Sequence, residues 1–330
     1  MAKLHEQITS GRVVYTTRAG AQVCGDSRKV LAELPETSVD LIMTSPPFPL
    51  LRQKEYGNKD QAEYVDWLVE FVEAAKPALK ETGSLVIDIG GAYQKGRPVR
   101  SLHQFRALIR FVDDLGYNLA EEFYWHNPAR LPSPIEWVNK RKWRAKDSVN
   151  TVWWLSKGDR PKSDVGKVRT PYSESMQKLL KDPSGYYRPK KRASEHDIGT
   201  AFGIDNGGAL PSNLLSIPNT ESNGFYLRMC KELGFESHPA RFPAALPEFF
   251  IKMLTDPGDV VVDIFSGSNT TGYAAETHGR NWLSIELDEK YAARSALRFL
   301  EGRTATDVAA IYEQMLAVNS QVDVEPTVLF

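Results

Sequence analysis

The chain predicts an α/β protein: an open, largely parallel sheet whose second half is interrupted by an inserted region. Three observations carry this. Short β-branched and apolar runs alternate with longer segments of helical periodicity, the pattern of strands joined by crossover helices. Val260-Val261-Val262-Asp263-Ile264 feeds a small-residue turn, Phe265-Ser266-Gly267-Ser268-Asn269, and then a helical segment, which is how such sheets offer backbone N–H groups to a ligand. Between Lys157 and Ser237 periodicity fades into Gly, Pro, Ser, Asn and Lys, and a loop that long inside a compact domain implies a function of its own.

Taken in order, Val13–Thr17 and Ala21–Cys24 read as short strands, and Gly25-Asp26-Ser27 opens a helix capped by Asp26 or Ser27. Asp26 thus stands at a strand's carboxyl end, where open α/β sheets bind ligands, although capping alone accounts for it. Val39–Met43 is a buried strand leading into Thr44-Ser45-Pro46-Pro47-Phe48. Each proline fixes its own φ and biases the residue before it toward extended backbone, so this loop is stiff and suits a planar ligand held against Phe48. An ordinary Pro-Pro turn is the alternative.

Asp60 and Glu63 resemble a capping box for a helix whose Tyr64, Trp67, Leu68, Phe71, Val72 and Ala75 form a core face ending before Pro77. Gly83–Gly91 is the next parallel strand. Its Asp88 interrupts a run that should be buried on both faces, and a lone carboxylate there needs a partner, so Asp88 is placed in the same crevice as Ser45. A second amphipathic helix carries Leu102, Phe105, Leu108, Ile109, Val112 and Leu115 on one side, with Gly116 as its C-cap. Asn118–Trp125 and Val149–Ser156 pair as an antiparallel hairpin whose long loop, Asn127–Asp147, projects from the sheet. After His238-Pro239-Ala240-Arg241-Phe242-Pro243 and a helix through Leu254 come the strand and turn at Val260. Asn281–Glu286 then ends in an acid 19 residues after Gly267, close to the ~20 at which a carboxylate grips ribose hydroxyls in dinucleotide folds.

Composition sets bounds. A 42% apolar, 25% charged chain is that of a water-soluble globular protein. No apolar run is long enough to span a bilayer and the opening residues lack a signal-peptide shape, so the expected location is cytoplasmic. Cys24 and Cys230 form no C-x-x-C pair, which excludes a disulfide framework or structural zinc site. Against a net charge of −1, residues 128–200 hold 17 Lys and Arg but only 8 Asp and Glu. Aromatics interleave with these cations at Trp137, Lys140, Arg141, Lys142, Trp143, Arg144 and Lys146, and again around Arg188, Lys190, Lys191 and Arg192. Such a patch fits a polyanion partner.

The turn is not G-x-G-x-x-G, which disfavours a nicotinamide-dependent oxidoreductase. Asp263-x-Phe265-x-Gly267-Ser268 with Thr270-Thr271-Gly272, together with Thr44-Ser45-Pro46-Pro47-Phe48, resembles the amino-methylating DNA methyltransferases. The order of catalytic loop, variable basic region and cofactor loop is that of their beta group. Gly25-Asp26-Ser27, Asn150-Thr151-Val152-Trp153-Trp154, Pro211-Ser212-Asn213-Leu214, the His238–Pro243 block and Leu131-Pro132-Ser133-Pro134-Ile135-Glu136-Trp137 extend the likeness over nearly the whole chain. It looks closest to the PvuII-type N4-cytosine methylases of type II restriction-modification systems.

That resemblance implies a class I S-adenosylmethionine-dependent methyltransferase fold, Rossmann-like with a seven-stranded mixed sheet and an inserted target-recognition region. The implied catalytic domain spans 1–156 and 238–330, with recognition by 157–237 and the basic loop 127–147. It implies transfer of methyl from S-adenosylmethionine to N4 of a flipped cytosine in a palindrome of double-stranded DNA such as CAGCTG, by a monomer whose cognate restriction endonuclease is a system partner rather than a bound subunit. Ser45, Pro46, Pro47, Phe48 and Asp88 would carry catalysis. Asp263, Phe265, Gly267, Ser268 and Asn269 would shape the cofactor site, with Glu286 on the ribose, Asp26 on the adenine edge, and Thr16 and Thr17 at the carboxylate. Asn269 departs from the family's commoner glycine. The rivals are N6-adenine methylation, whose loop usually has Asp before Pro-Pro, and a catalytically silent DNA-binding protein.

Overall fold

The computed structural model describes residues 4–48, 63–183, 203–220, 224–317 and 321–324. In chain order the elements are β1 (Gly11–Thr16), β2 (Gly20–Gly25), α1 (Ser27–Glu33), β3 (Val39–Thr44), α2 (Tyr64–Ala75), β4 (Leu79–Ile89), α3 (His103–Asp113), β5 (Asn118–His126) and β6 (Val149–Ser156). Then follow α4 (Glu174–Lys181), β7 (Leu214–Ser216), α5 (Phe225–Glu232), α6 (Ala245–Leu254), β8 (Val260–Asp263), α7 (Thr270–Thr277), β9 (Asn281–Glu286), α8 (Glu289–Ser295), α9 (Ala305–Leu316) and β10 (Val322–Asp323).

One ten-stranded sheet has the order β10-β1-β2-β9-β8-β3-β4-β6-β5-β7. Seven of these, β2 through β5, form the expected mixed sheet: β6 alone runs against its neighbours, and the rest are parallel. The sequence reading falls short by the edges. β1 turns back antiparallel on β2, β10 joins β1, and the three-residue β7 extends the other side. β5 and β6 are the antiparallel hairpin expected, with the basic loop between them.

The core forms where the sheet meets α1, α2 and α3. Ile42, Leu85, Ile87, Leu155 and Ile285 pack there with Val30, Leu68, Val72 and Phe111. Leu41 and Met43, alternating with Ile42 on β3, are buried on the other face. α2 stops at Ala75, just ahead of Pro77, but Glu63 makes no side-chain cap and Asp60 lies outside the described residues. On α3 the buried line is His103, Ala107 and Phe111, whereas Leu102, Phe105 and Ile109 of the expected apolar face are about half exposed.

Asp164–Ser212 is a compact unit of its own, while residues 213–237, expected with the recognition region, belong to the larger unit. Within it Tyr172 Oη donates to Asp205 Oδ1 at 3.1 Å and accepts from the Asn206 N–H at 2.8 Å. Among the described residues no helix is long and apolar enough to cross a membrane, and no group of His, Cys, Asp and Glu is arranged to hold a metal ion.

Candidate active site

The carboxyl ends of β2, β3, β4, β8 and β9 open onto a cleft of about 600 Å³, within the range of small-molecule sites. β3 delivers the Ser-Pro-Pro-Phe loop to it. The Phe48 ring packs on Gly90 just past β4, so closely that a Cβ on Gly90 would stand 2.6 Å from the ring. Any side chain at position 90 would displace Phe48.

β4 brings Asp88 beside this loop. Ser45 Oγ donates to Asp88 Oδ2 at 3.0 Å, and Asn150 Nδ2, from β6, donates to Oδ1 at 3.0 Å. Arg130 Nη1 in turn donates to Asn150 Oδ1 at 3.0 Å. Burial pushes the Asp88 carboxyl up to about 6, against the pull of the Asn150 and Ser45 hydrogen bonds and the Arg130 charge. At neutral pH it is an ionised acceptor. Because the Ser45 proton is directed at Asp88, the Ser45 oxygen keeps its lone pairs for a donor in the cleft.

The second wall is the turn between β8 and α7. Gly267 has φ +49 and lies against the His238 ring, 2.9 Å from where a Cβ would stand, so glycine serves both the backbone and the close approach. Asn269 takes a left-handed conformation itself (φ 54) and earns the position through its side chain. Its Oδ1 caps α7 at the Gly272 N–H (3.0 Å) and accepts from Ser284 Oγ (2.7 Å), while Nδ2 donates to Tyr15 Oη (3.0 Å). The turn is thereby locked without the usual glycine. Glu286, at the end of β9, accepts from the Gly267 N–H at 2.8 Å and the Asp288 N–H at 2.9 Å, and burial pushes its carboxyl up to about 7.

Ser45, Pro46, Pro47, Phe48, Asp88, Asp26, Phe265, Gly267, Ser268 and Glu286 all line the cleft. Asp26 also caps α1, accepting from the Arg28 N–H at 3.0 Å, and pairs with the Arg28 guanidinium, which lowers its pKa. Asp263 and Asn269 lie behind the wall as its braces. Asp263 takes hydrogen bonds from Thr44 Oγ1 (2.7 Å), Thr271 Oγ1 (2.6 Å) and the Phe265 N–H (3.1 Å).

Thr16 and Thr17 are a correction. β1 is antiparallel to β2, so its carboxyl end lies at the opposite end of the sheet from the cleft. There Thr16 bonds Asp323, and Thr17 bonds Glu276. Trp67 and Phe71, read as core, do pack in it, Phe71 within the core and Trp67 against it, and their cleft-facing edge is what that reading left out. They meet Phe265 with ring centroids 5.5 and 4.7 Å apart and line the cleft with it, and Arg28 lies 4.9 Å over the Phe71 ring. His238, Arg130 and Asn150 also line it, though no role was assigned to them. A polar residue opening the buried strand Val149–Ser156 was the available signal for Asn150.

In the basic loop, Lys140 and Arg141 share Glu136 at 3.4 and 3.0 Å, and Trp137 stacks on Trp143 with centroids 5.9 Å apart. Arg144 donates to the carbonyls of Trp143 (2.8 Å) and Pro98 (2.9 Å), and Lys142 is exposed at a positive φ. Arg188, Lys190, Lys191 and Arg192 lie outside the described residues.

The sheet, the glycine turn with its following acid, and the stiff loop beside a buried carboxylate define a Rossmann-like group-transfer enzyme with a nucleotide-type cofactor. The family model for DNA methylases acting on N6 or N4 matches residues 39–297, and the chain belongs to that family. It is 57% identical to the type II methyltransferase M.PvuII of Proteus hauseri over 92% of this chain and 90% of that one. The DNA adenine methyltransferase YhdJ of Escherichia coli is 25% identical, over 84% of this chain and 81% of its own length. The structure of the PvuII cytosine-N4-specific DNA methyltransferase superposes with TM-score 0.77 and 49% identity, covering 94% of this chain and 97% of that one. The chain is thus a DNA methyltransferase with the expected S-adenosylmethionine-dependent methyltransferase fold.

Proposed function

We propose that this enzyme methylates N4 of a cytosine turned out of duplex DNA, at the palindrome CAGCTG, and so shields DNA from a cognate restriction endonuclease. The Ser45–Asp88 hydrogen bond in the wall of the cleft carries the chemistry. The 57% identity to M.PvuII over nearly the whole chain supports the base and the site.

The cleft suits S-adenosylmethionine: Trp67, Phe71 and Phe265 offer aromatic faces to an adenine ring, and the half-buried Glu286 carboxylate at the end of β9 suits ribose hydroxyls. When bound there, the cofactor supplies an electrophilic methyl group. The chain's own residues must prepare the acceptor. An exocyclic amino group is a poor nucleophile because its lone pair is delocalised into the ring. Acceptance of one N4–H by Ser45 Oγ and the other by the Pro46 carbonyl draws the nitrogen toward tetrahedral geometry and frees that lone pair. Once N4 carries the methyl group it must shed a proton, and Ser45 passes it to Asp88. Phe48 stacks on the extruded ring, since N4 inside a duplex cannot reach the cofactor.

Lys140, Arg141, Lys142 and Arg144 contact phosphates in this reading, with Arg188, Lys190, Lys191 and Arg192 of the inserted region. The enzyme works in the cytoplasm as a monomer that treats each strand of the palindrome in turn. Labelled methyl transfer to CAGCTG duplexes, followed by nucleoside digestion and chromatography, tests the proposal. N4-methylcytosine is expected, and label in N6-methyladenine, or none in DNA, would overturn it.

A further inference from the structure

The β5–β6 loop places Arg130 with care. The Asn127 carbonyl accepts its N–H at 3.2 Å, and Lys146 Nζ donates to the carbonyls of Arg130 (3.1 Å) and Pro128 (3.4 Å), so the two ends of the loop are clamped together there. The guanidinium then enters the cleft and meets the Asn150 carbonyl oxygen. A carboxamide has one acceptor end and one donor end. With Oδ1 held by a donor-only cation, Nδ2 must face Asp88. A flipped amide would set its oxygen against the Asp88 carboxylate and its NH2 against the Arg130 guanidinium.

We infer that Arg130 and Asn150 are positioning residues for methyl transfer: the arginine fixes the amide, the amide fixes Asp88, and Asp88 holds Ser45 as a hydrogen-bond acceptor for the base. The inference rests on the amino-methylation reading of the cleft. The groups facing Asp88 come from several elements. Ser45 follows β3, Asn150 is on β6, Arg130 is in the β5–β6 loop, and the buried Tyr64 hydroxyl on α2 has its pKa raised by burial and by the Asp88 charge. His103, beside the Tyr64 ring at 5.3 Å, is pushed down to about 4 by burial and stays neutral. Arg130 is therefore the nearby positive charge whose removal disfavours the Asp88 carboxylate.

The test is single-turnover methyl transfer from S-adenosylmethionine to saturating CAGCTG duplex between pH 5 and 9, for wild type, Arg130→Ala, Arg130→Lys and Asn150→Ala, with affinity for sinefungin measured in parallel. Arg130 is only partly buried, so its variants report on the site even if Asn150→Ala unfolds. Arg130→Ala should slow transfer about tenfold and move the acid limb to higher pH, leaving sinefungin affinity unchanged. Arg130→Lys should recover part of both. An Arg130→Ala enzyme with the wild-type midpoint, or one whose loss is cured by more DNA, overturns the inference. A wild type that transfers no methyl group at any pH overturns the reading beneath it, a result recognisable as such.

Discussion

Two aspartates flank the end of β3 and look alike by every bulk measure. Asp88 on β4 and Asp263 on β8 are both buried, and burial pushes both up to about 6. Successive residues at the end of β3 and just past it serve them, Thr44 donating to Asp263 and Ser45 to Asp88. They differ in where their donors look. Thr44, Thr271 and the Phe265 N–H tie Asp263 into the wall, out of reach of a ligand, whereas Ser45 and Asn150 both border the cleft. Desolvation alone does not mark a catalytic acid; a partner that opens onto the substrate does.

The largest effect separates the two chemically. Asp88→Asn should lower the rate of methyl transfer by about 10²–10⁴, the range for loss of acid–base participation, with sinefungin binding retained. Ser45→Ala should do the same to a lesser degree. For Asp263 the loss is structural: Asp263→Ala strands two hydroxyls and an N–H and should reduce unfolding free energy by about 3 kcal/mol in urea titration. Unchanged stability would mean the wall does not depend on it.

Titration sharpens the comparison further. Both carboxyls have a folded-state pKa above the ordinary 3.8, so the folded state holds their protons more tightly. Their contribution is fully present below about pH 4 and is lost as pH rises through about 6, roughly 3 kcal/mol for each. Asp88→Asn has no carboxyl to ionise, so its melting temperature should exceed that of wild type at pH 8, with the advantage gone near pH 4. A constant difference across that window would deny the burial argument.

The smallest effects lie in the basic loop, where Lys142→Ala should reduce the slope of log affinity against log salt by about 0.9 if its ammonium meets a phosphate. Lys146→Ala should act otherwise, loosening the Arg130 turn to which its ammonium is committed.

Much of this was legible in the sequence because strand ends announce themselves. Ser45–Phe48, Asp88, Gly267 and Glu286 each interrupt or terminate an apolar run, and parallel strands bring such ends to one rim. What stayed hidden depended on direction and pairing. Nothing in Val13–Thr17 says that β1 runs backwards, so nothing in the sequence could set aside the resemblance that assigned Thr16 and Thr17 to the cofactor carboxylate. Trp67 and Phe71 have the spacing of core residues, and part of that face is core; the cleft claims its edge only because α2 packs beside the β8 turn. Asn150 and Arg130 matter through each other and Asp88, across 62 residues of sequence for the Asn150–Asp88 bond.

The most direct measurement compares Asp88→Asn and Asp263→Asn in one single-turnover assay at saturating S-adenosylmethionine and DNA. Asp88→Asn should be reduced by at least about 10², and Asp263→Asn, which keeps hydrogen-bonding capacity toward Thr44 and Thr271, should stay within about tenfold of wild type. Equal rates in the two variants, or the reverse ranking, would contradict the assignment of the chemistry to Asp88 and Ser45.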